Sequence, residues 1–228
     1  MNDARTNIKP LKCIAISDTH CNHKKLKLPK ADVIIHAGDI SCRGRKDEVV
    51  EFIKWFEQLN YAHKILIAGN HDFFLEKEPV NEVRQIIPPT INYLQDSGCT
   101  IEGVHVWGSP FTPRFHDWAF NRSRGKEIRQ HWMKIPAHTD LLVTHGPPYG
   151  ILDQTSSEDH VGDRDLIEVV STIKPKVHVF GHIHEGYGRF VKGTTTFINA
   201  SLCNERYELI HAPQTFSLQA SVLETASK

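Results

Sequence analysis

Short runs of apolar residues recur along the chain, and β-branched side chains are common in them. Five runs stand out, at residues 14–16, 33–35, 65–67, 141–143 and 177–180. Uninterrupted apolar runs are typical of strands that are buried on both faces, as in parallel sheets covered by helices. The pattern therefore predicts an α/β fold that is built on parallel strands.

Three other segments repeat their apolar residues at helical spacing. In the first, residues 46–60, the repeat consists of Val49, Phe52, Ile53, Phe56 and Leu59. This spacing predicts an amphipathic helix with one apolar face. The second segment, 123–134, has Ser123 as a candidate cap, and the third, 165–173, has Asp163. Alternation of helices with apolar strands is what an α/β domain requires.

The pattern changes after the third helix. Candidate strands at 177–180, 194–198 and 207–211 follow one another with little room for helices, so we expect them to be neighbours in a sheet. The residues from about 217 onward are polar and are expected to fray. No linker or internal repeat interrupts the chain. The sequence thus predicts a single domain over residues 1–228, with a core at about 12–211 and a polar tail at about 217–228.

Composition narrows the class of protein. Lys plus Arg and Asp plus Glu each number 27, so the chain lacks the basic excess of proteins that bind polymeric nucleic acid. The five cysteines are scattered, which argues against a disulfide framework and fits a reducing compartment. No apolar stretch approaches the roughly 20 residues of a membrane span, and the N-terminus lacks a signal-peptide core. We expect a cytoplasmic protein without membrane contact.

Polar side chains collect where the apolar runs end. They form five short pieces: Asp18-Thr-His20, Gly38-Asp39, Gly69-Asn70-His71-Asp72, His145-Gly146 and Gly181-His182-Ile-His184. Ligands of open α/β sheets bind beyond the carboxyl ends of the strands, which is where these pieces lie. Oxygen and imidazole donors in such a set suit divalent ions such as Mn²⁺, Fe²⁺ or Zn²⁺. Because the donors outnumber the needs of one ion, we predict a two-metal hydrolytic centre.

The spacing within the pieces indicates how the donors converge. Alternate residues of a strand point to the same face, so Asp18 and His20 are expected to aim at one point from an extended chain. The same expectation holds for His182 and His184. Glycines stand beside the donors, at Gly38, Gly69, Gly146 and Gly181. They indicate places where the backbone turns tightly or approaches a substrate closely.

The ordered series D-x-H, G-D, G-N-H-D, T-H-G and G-H-I-H resembles the calcineurin-like metallophosphoesterases over about residues 12–211. Within that superfamily, the stretches 33–39, 118–121, 144–148 and 177–186 are similar to the small metallophosphoesterase-domain proteins akin to class III cyclic-nucleotide phosphodiesterases. The resemblance implies a four-layer αββα sandwich. It also implies that the metals lie at the strand ends, between two sheets.

The resemblance further implies a division of the donors between two divalent ions. The first ion would be held by Asp18, His20, Asp39 and His184. The second would be held by Asp39, Asn70, His145 and His182. Asp39 would then bridge the ions, and a carboxylate between two cations lowers their mutual repulsion. Mn²⁺ is the metal we expect, although Fe, Zn and Ni accept the same donors.

Two-metal chemistry predicts the reaction and singles out His71. Two such ions share and activate a water, so that a bridging hydroxide attacks phosphorus in line. His71 follows the donor Asn70 but is not a ligand in the family pattern, and we expect it to assist the leaving group. Asp72 is a candidate for orienting its ring. The alternative for His71 is a structural histidine beside the ligands. His36 and His178, inside apolar strands, are expected to be buried and hydrogen-bonded.

The segment 109–125 bears on the substrate. It carries aromatic and basic side chains at Phe111, Arg114, Phe115, Trp118, Phe120, Arg122 and Arg124. These side chains either stack a nucleobase and hold a second phosphate, or pack the loop onto the core. The Asp-Arg pair and the Arg before Gly-Asn-His that mark the protein-phosphatase branch are missing, which disfavours a phosphoprotein substrate.

The sequence as a whole predicts a phosphodiesterase for small phosphodiesters, with cyclic nucleotides as the leading substrates. A broad-specificity phosphomonoesterase with the same centre is the first alternative. A non-catalytic scaffold on this fold is the second, and the complete donor set argues against it. The sequence carries no indication of oligomeric state.

Overall fold

Two β-sheets form the centre of the computed structural model, which describes residues 9–220. The strands of the first sheet are β1 (Leu11–Ile16), β2 (Val33–Ala37), β3 (His63–Ile67), β4 (Asn92–Tyr93) and β13 (Gln214–Leu218). Their order is β13-β1-β2-β3-β4. The β1 to β4 strands are parallel, whereas β13 pairs antiparallel with β1. The parallel strands confirm the prediction from the apolar runs.

The second sheet has six strands and is also mainly parallel. They are β5 (Ser97–Ile101), β6 (Val104–Ser109), β9 (Leu141–Thr144), β10 (Val177–Phe180), β11 (Gly188–Lys192) and β12 (Thr195–Asn199). Their order is β11-β12-β10-β9-β6-β5, with antiparallel pairs at the two edges. A separate two-stranded ribbon pairs β7 (Thr112–Pro113) with β8 (Asn121–Arg122).

Five α-helices accompany the sheets within residues 9–220. They are α1 (Lys46–Gln58), α2 (Phe73–Lys77), α3 (Val80–Ile86), α4 (Lys126–Trp132) and α5 (Arg164–Ile173). The apolar face predicted for α1 is buried through Val49, Phe52, Ile53 and Phe56. Asp163 caps α5, as predicted, because its carboxylate accepts the N–H of Leu166 at 2.8 Å. None of the helices in residues 9–220 is long and apolar enough to cross a membrane.

The alternation of side chains along the strands produces four layers. One core lies between the sheets, where Ile35 and Ile65 of the first sheet share a cluster with Val143 of the second. The opposite faces pack on helices. There Ile34 and Leu66 of the first sheet and Leu142 and Phe180 of the second belong to one further cluster, which also contains the buried residues of α1, α4 and α5. This arrangement is the predicted αββα sandwich.

The predicted strand at 207–211 is wrong. The Asn204 side chain accepts the N–H groups of Arg206 and Glu208, which folds residues 204–208 into a turn. Tyr207 has a φ of 60° within it, incompatible with a strand. The chain pairs with β1 only later, at β13, which contains Ser217 of the predicted frayed tail. The rest of that tail, from residue 221, lies outside the described residues.

The helix predicted at 123–134 is shorter than expected at its start. It begins at Lys126, and the Ser123 side chain does not cap it. Instead, the Glu127 carboxylate reaches back and accepts the N–H of Ser123 at 3.0 Å. The capping contact thus runs in the opposite direction from the one predicted, although it satisfies the same region of backbone.

Candidate metal centre

The predicted donors lie at one edge of the sandwich, where the carboxyl ends of the parallel strands of both sheets meet. Asp18 and Asp39 follow β1 and β2 of the first sheet, whereas His145 and His182 follow β9 and β10 of the second. Since the sheets pack face to face, turns from the two edges enclose one cleft. Five of the seven predicted ligands are buried there, with Asp18 and His145 fully inaccessible to solvent, and His182 and His184 are partly buried.

The first group of donors gathers around His184. Its Nε2 atom lies 3.4 Å from Nε2 of His20 and 3.5 Å from Oδ1 of Asp18. The ligand atoms of these three residues lie within 4.8 Å of one another. Nε2 of His20 is also 3.8 Å from Oδ2 of Asp39. Atoms that share one ion at about 2.1 Å lie at roughly such separations.

The second group gathers around His145. Its Nε2 atom lies 2.7 Å from Oδ1 of Asn70 and 3.4 Å from Oδ1 of Asp39. The ring centroid of His182 lies 5.0 Å from that of His145. One oxygen of Asp39 faces the first group and its other oxygen faces the second. Asp39 therefore lies between His20 and His145.

Three of the imidazoles share a hydrogen-bond pattern that suits metal ligands. Each donates from Nδ1 to a backbone carbonyl oxygen: His20 to Ser41 at 3.2 Å, His145 to Ala37 at 2.8 Å and His184 to Asn204 at 2.8 Å. Because a carbonyl only accepts, a neutral ring of this kind leaves its lone pair on Nε2. Each Nε2 faces other acceptor atoms, an arrangement that a cation stabilises. The donors therefore fit divalent metal ions.

Electrostatics in the cleft also favour a cation. Burial alone would lower the pKa of His145 and His184, but the carboxylates of Asp39 and Asp18 outweigh it and raise each pKa to about 9. Burial alone would raise the pKa of both carboxyl groups, yet the surrounding imidazoles hold each pKa below its usual range. Burial lowers the pKa of His182 to about 3, which keeps it neutral as a ligand must be.

The donors converge through sharp turns, which differs from the extended chain that we predicted. Asp18, His20, Asp39 and His182 have φ values of 55°, 37°, 58° and 68°. These values lie in the left-handed region, which non-glycine residues rarely adopt. His184 begins a 3₁₀ turn instead of continuing a strand. The turns direct consecutive donors back into the cleft, and strain of this kind is common at functional sites.

Two glycines are required because the donors pass so close to the backbone. A Cβ atom on Gly69 would lie 2.3 Å from Oδ1 of Asp39, and one on Gly181 would lie 2.1 Å from Oδ2 of Asp18. Both distances are far below a van der Waals contact. The glycines that the sequence placed beside the donors thus serve close approach at these two positions.

His71 lies beside the first group of donors. Its Nδ1 donates to the carbonyl oxygen of Cys42 at 2.9 Å, and its ring lines the cavity above the site. Its ligand atom is also within 4.8 Å of those of His20 and Asp39. Distance alone would admit His71 as a ligand, so its exclusion from the ligand set rests on the family pattern.

Asp72 does not orient the ring of His71. Its carboxylate instead accepts the N–H groups of Asp39, Ile40, Ser41 and Gly69. Burial, followed by the charge of Asp39, raises the pKa of this carboxyl group to about 6. Asp72 therefore connects the turn after β2 to the turn after β3, and it fixes the backbone around Asp39.

His36 and His178 are buried and hydrogen-bonded, as predicted. Nε2 of His36 lies 3.0 Å from Oγ1 of Thr19, and Nε2 of His178 lies 2.8 Å from Oγ1 of Thr144. Each threonine is next in the chain to a predicted ligand. The hydroxyl of Thr144 donates to the oxygen of Gly146, so His178 must donate from Nε2. These two pairs brace the turns that carry the donors.

A cavity of about 430 Å³ opens onto the donors, and the segment 109–125 contributes to it in part. Phe111 and Phe120 are buried in the core, and Arg122 pairs with Glu76. In contrast, Arg114, Phe115, Trp118 and Arg124 line the cavity. One set of side chains in the segment thus packs the loop onto the core, as the second interpretation predicted, and another set faces the site, where contact with a substrate stays a prediction.

Sequence reasoning missed several other residues of the cavity wall. Tyr207 places its ring 4.6 Å from that of His20 and 6.0 Å from that of His71. Glu185 and Glu205 line the same cavity. Glu185 adjoins His184, which was a usable signal. Tyr207 lies in a segment that was assigned to a strand, and only the turn at Asn204 brings it to the site.

Comparisons with known proteins identify a phosphoesterase family. The calcineurin-like phosphoesterase family model matches residues 11–186. Human metallophosphoesterase domain-containing protein 1 is 39% identical over 229 residues, which cover 90% of this chain and 70% of that protein. A Caenorhabditis elegans UPF0046 protein is 36% identical over 225 residues, covering 93% of this chain and 77% of that one.

Solved structures share the fold. Phosphopantetheinyl hydrolase from Mycobacterium tuberculosis superposes with a TM-score of 0.59 at 15% identity, over 94% of this chain and 96% of that chain. TT1561 of Thermus thermophilus superposes with a TM-score of 0.55 at 11% identity, over 84% and 89%. Fold, donor set and sequence similarity lead to one conclusion. The chain belongs to the calcineurin-like phosphoesterase family and is a metal-dependent phosphoester hydrolase.

Proposed function

We propose that this protein is a two-metal phosphodiesterase that hydrolyses small phosphodiesters, with cyclic nucleotides as the leading substrates and Mn²⁺ as the working metal. The observation that carries the proposal is the position of Asp39, with Oδ2 toward His20 at 3.8 Å and Oδ1 toward His145 at 3.4 Å. In this assignment, Asp18, His20, Asp39 and His184 hold one ion. Asp39, Asn70, His145 and His182 hold the other. The five cysteines are all free, which supports a cytoplasmic location.

The chain's own residues orient the substrate and move one proton. Two bound divalent ions supply an activated water and withdraw charge from the phosphoryl oxygens. His71 donates from Nδ1 to the Cys42 carbonyl, so only Nε2 is available toward the cavity. A proton on Nε2 passes to the leaving oxygen as its bond to phosphorus breaks, and the ring returns to its neutral form. The Cys42 contact keeps the ring in one orientation throughout.

The charge of the cavity wall supports a diester over a monoester. Apart from the metal donors and His71, the charged residues of the wall are Arg114, Arg124, Glu185 and Glu205. Their formal charges cancel. The guanidinium of Arg124 is already bound to the carbonyl oxygens of Val161 and Gly162. A diester carries one negative charge on its phosphate, whereas a monoester dianion gains from an excess of cations, and the four charged residues of this wall have no net charge.

Metal content and a substrate panel test the proposal. We expect close to two Mn²⁺ ions per chain after loading, measured by atomic emission on desalted protein. The panel compares bis-p-nitrophenyl phosphate, p-nitrophenyl phosphate, and 3′,5′- and 2′,3′-cyclic nucleotides. Preference for diesters is the expected result. Hydrolysis of the monoester alone would establish the phosphomonoesterase instead, and a protein that binds no metal would be a scaffold.

A further inference from the structure

The loop at residues 112–122 is held rigidly at the rim of the cavity. The β7–β8 ribbon closes its base. Within the loop, Nδ2 of Asn121 donates to the carbonyl oxygens of Phe115 and His116, at 2.9 and 3.3 Å. The N–H of Ala119 donates to the carbonyl oxygen of the predicted ligand Asn70 at 3.0 Å. These hydrogen bonds therefore fix the position of the loop relative to the predicted metal ligand Asn70.

This rigid loop exposes aromatic surface that packing does not explain. Phe115 is 58% exposed, although Phe111 and Phe120 at the two ends of the same segment are buried. The rings of Phe115 and Trp118 meet edge to face, with centroids 5.7 Å apart. Trp118 also lies 4.8 Å from His71. Two aromatic side chains that together line the cavity beside His71 form an apolar patch, and such a patch indicates a binding surface.

The positive charge beside this aromatic surface restricts the classes of ligand that it can bind. Within the described residues, the guanidinium of Arg114 makes no hydrogen bond or ion pair, whereas those of Arg122 and Arg124 are both engaged. A guanidinium next in the chain to Phe115 disfavours a cationic ligand such as a quaternary amine. It is compatible with a planar heterocycle, whose edge atoms accept hydrogen bonds and whose face stacks on tryptophan.

We propose that Trp118 and Phe115 form a subsite that stacks the nucleobase of the substrate beside His71. The proposal rests on the proposed function, since it assigns the non-reacting half of the same phosphodiester. It makes the protein selective for diesters that carry a base. Trp118 is then a specificity-determining residue that touches substrate, and its contribution is separable from the metal chemistry.

The test compares two diesters that differ only in the base. Adenosine 3′,5′-cyclic phosphate is paired with 1-O-methylribose 3′,5′-cyclic phosphate, so that the reacting ring is the same. We measure the ratio of kcat/KM for the two substrates in Mn²⁺-loaded protein. The wild type is expected to favour the adenosine compound by about 5- to 150-fold, the range for stacking one base on one aromatic ring.

Variants of the loop test whether its aromatic residues cause the preference for the substrate that carries a base. Trp118→Leu is expected to bring the ratio close to one, Phe115→Leu to reduce it partly, and Trp118→Phe to restore most of it. Phe190→Leu is the matched control, because Phe190 is 46% exposed on β11 and does not line the cavity. A general disturbance of His71 would lower both rates together and leave the ratio unchanged. A wild-type ratio near one, or a ratio that survives Trp118→Leu, overturns the proposal.

A binding measurement keeps the subsite distinguishable from the proposed function. Calorimetry on the Mn²⁺-loaded protein compares adenosine 5′-monophosphate with ribose 5-phosphate. Tighter binding of the first by at least about 5-fold, lost in Trp118→Leu, supports the subsite even if the wild type hydrolyses no diester. Equal binding of the two compounds rejects the subsite, whatever the protein hydrolyses.

Discussion

At the scale of single residues, hydrogen bonds determine the orientation of the histidine rings in the site. His20, His145 and His184 each donate from Nδ1 to a backbone carbonyl oxygen, and Nε2 of each ring faces the cleft. His71 is held in the same way by Cys42, but its ring also faces the open cavity. In the proposed mechanism, ligand and proton donor therefore use the same chemistry of the imidazole. Since a ring nitrogen of His71 is close enough to act as a ligand, the family pattern separates the two roles.

His71→Ala tests this division of roles. The variant is expected to retain two Mn²⁺ ions per chain and to lose turnover of a cyclic diester by about 10²- to 10⁴-fold, the usual contribution of a general acid. Asp39→Asn, at the bridging position, is expected to lose metal as well. Metal content and kcat are measured on the same samples. An unchanged kcat in His71→Ala would contradict the proton transfer, and loss of metal in that variant would make His71 a ligand.

At the scale of elements, side chains between helices and loops hold the second sheet's half of the site. Asp163 is an example. Its carboxylate caps α5 through Leu166 and accepts the indole N–H of buried Trp132 on α4 at 2.9 Å. It also lies 3.6 Å from Arg124, which clamps the loop at 161–162. One carboxylate thus fixes two helices and one wall of the cavity.

Asp163→Ala is expected to destabilise the protein by about 2–4 kcal/mol. Loss of the cap contributes about 1 kcal/mol, and the unpaired indole N–H about 1–3 kcal/mol more. Asp163→Asn keeps an acceptor oxygen and serves as the control, with a smaller expected loss. Urea denaturation of metal-loaded protein measures both. Equal stability of Asp163→Ala and the wild type would show that neither contact is used.

At the scale of the whole molecule, two neutral histidines in the core make stability depend on pH. Burial lowers the pKa of both His36 and His178 to about 3. In the unfolded chain a histidine has a pKa of about 6.5. Above that value neither state binds a proton. As the pH falls from about 6.5 toward about 3, only the unfolded state takes up protons, so the folded state loses stability.

Comparison of the wild type with His178→Leu isolates one of these histidines. From pH 7.5 to pH 5, the free energy of unfolding of the wild type should fall by about 2 kcal/mol more than that of the variant, about 1.4 kcal/mol for each pH unit below the unfolded pKa. Urea titrations at several pH values, without added metal, provide the measurement. Parallel pH profiles of the two proteins would mean that His178 is protonated in the folded state.

The sequence predicted the features of the site that depend on local motifs, but not those that depend on contacts between distant segments. Each donor was recognisable because it follows an apolar run in a short motif. The turns that direct Asp18 and His182 into the cleft could not be recognised from the sequence. The left-handed backbone at these positions is stabilised by contacts between distant segments. One such contact is the N–H of His182 donating to the Asp18 carboxylate, 164 residues away.

The sequence by itself determined the five apolar strands, the buried face of α1, the cap of α5 and the places along the chain where the candidate donors lie. Periodicity and ligand chemistry are local properties of the chain, so they can be read without a fold. Only the tertiary structure decided which side chains of 109–125 face the cavity, that Tyr207 reaches the site, and that β13 rather than 207–211 completes the first sheet. These outcomes depend on packing between the two sheets and on side-chain hydrogen bonds across long separations, which no local pattern encodes.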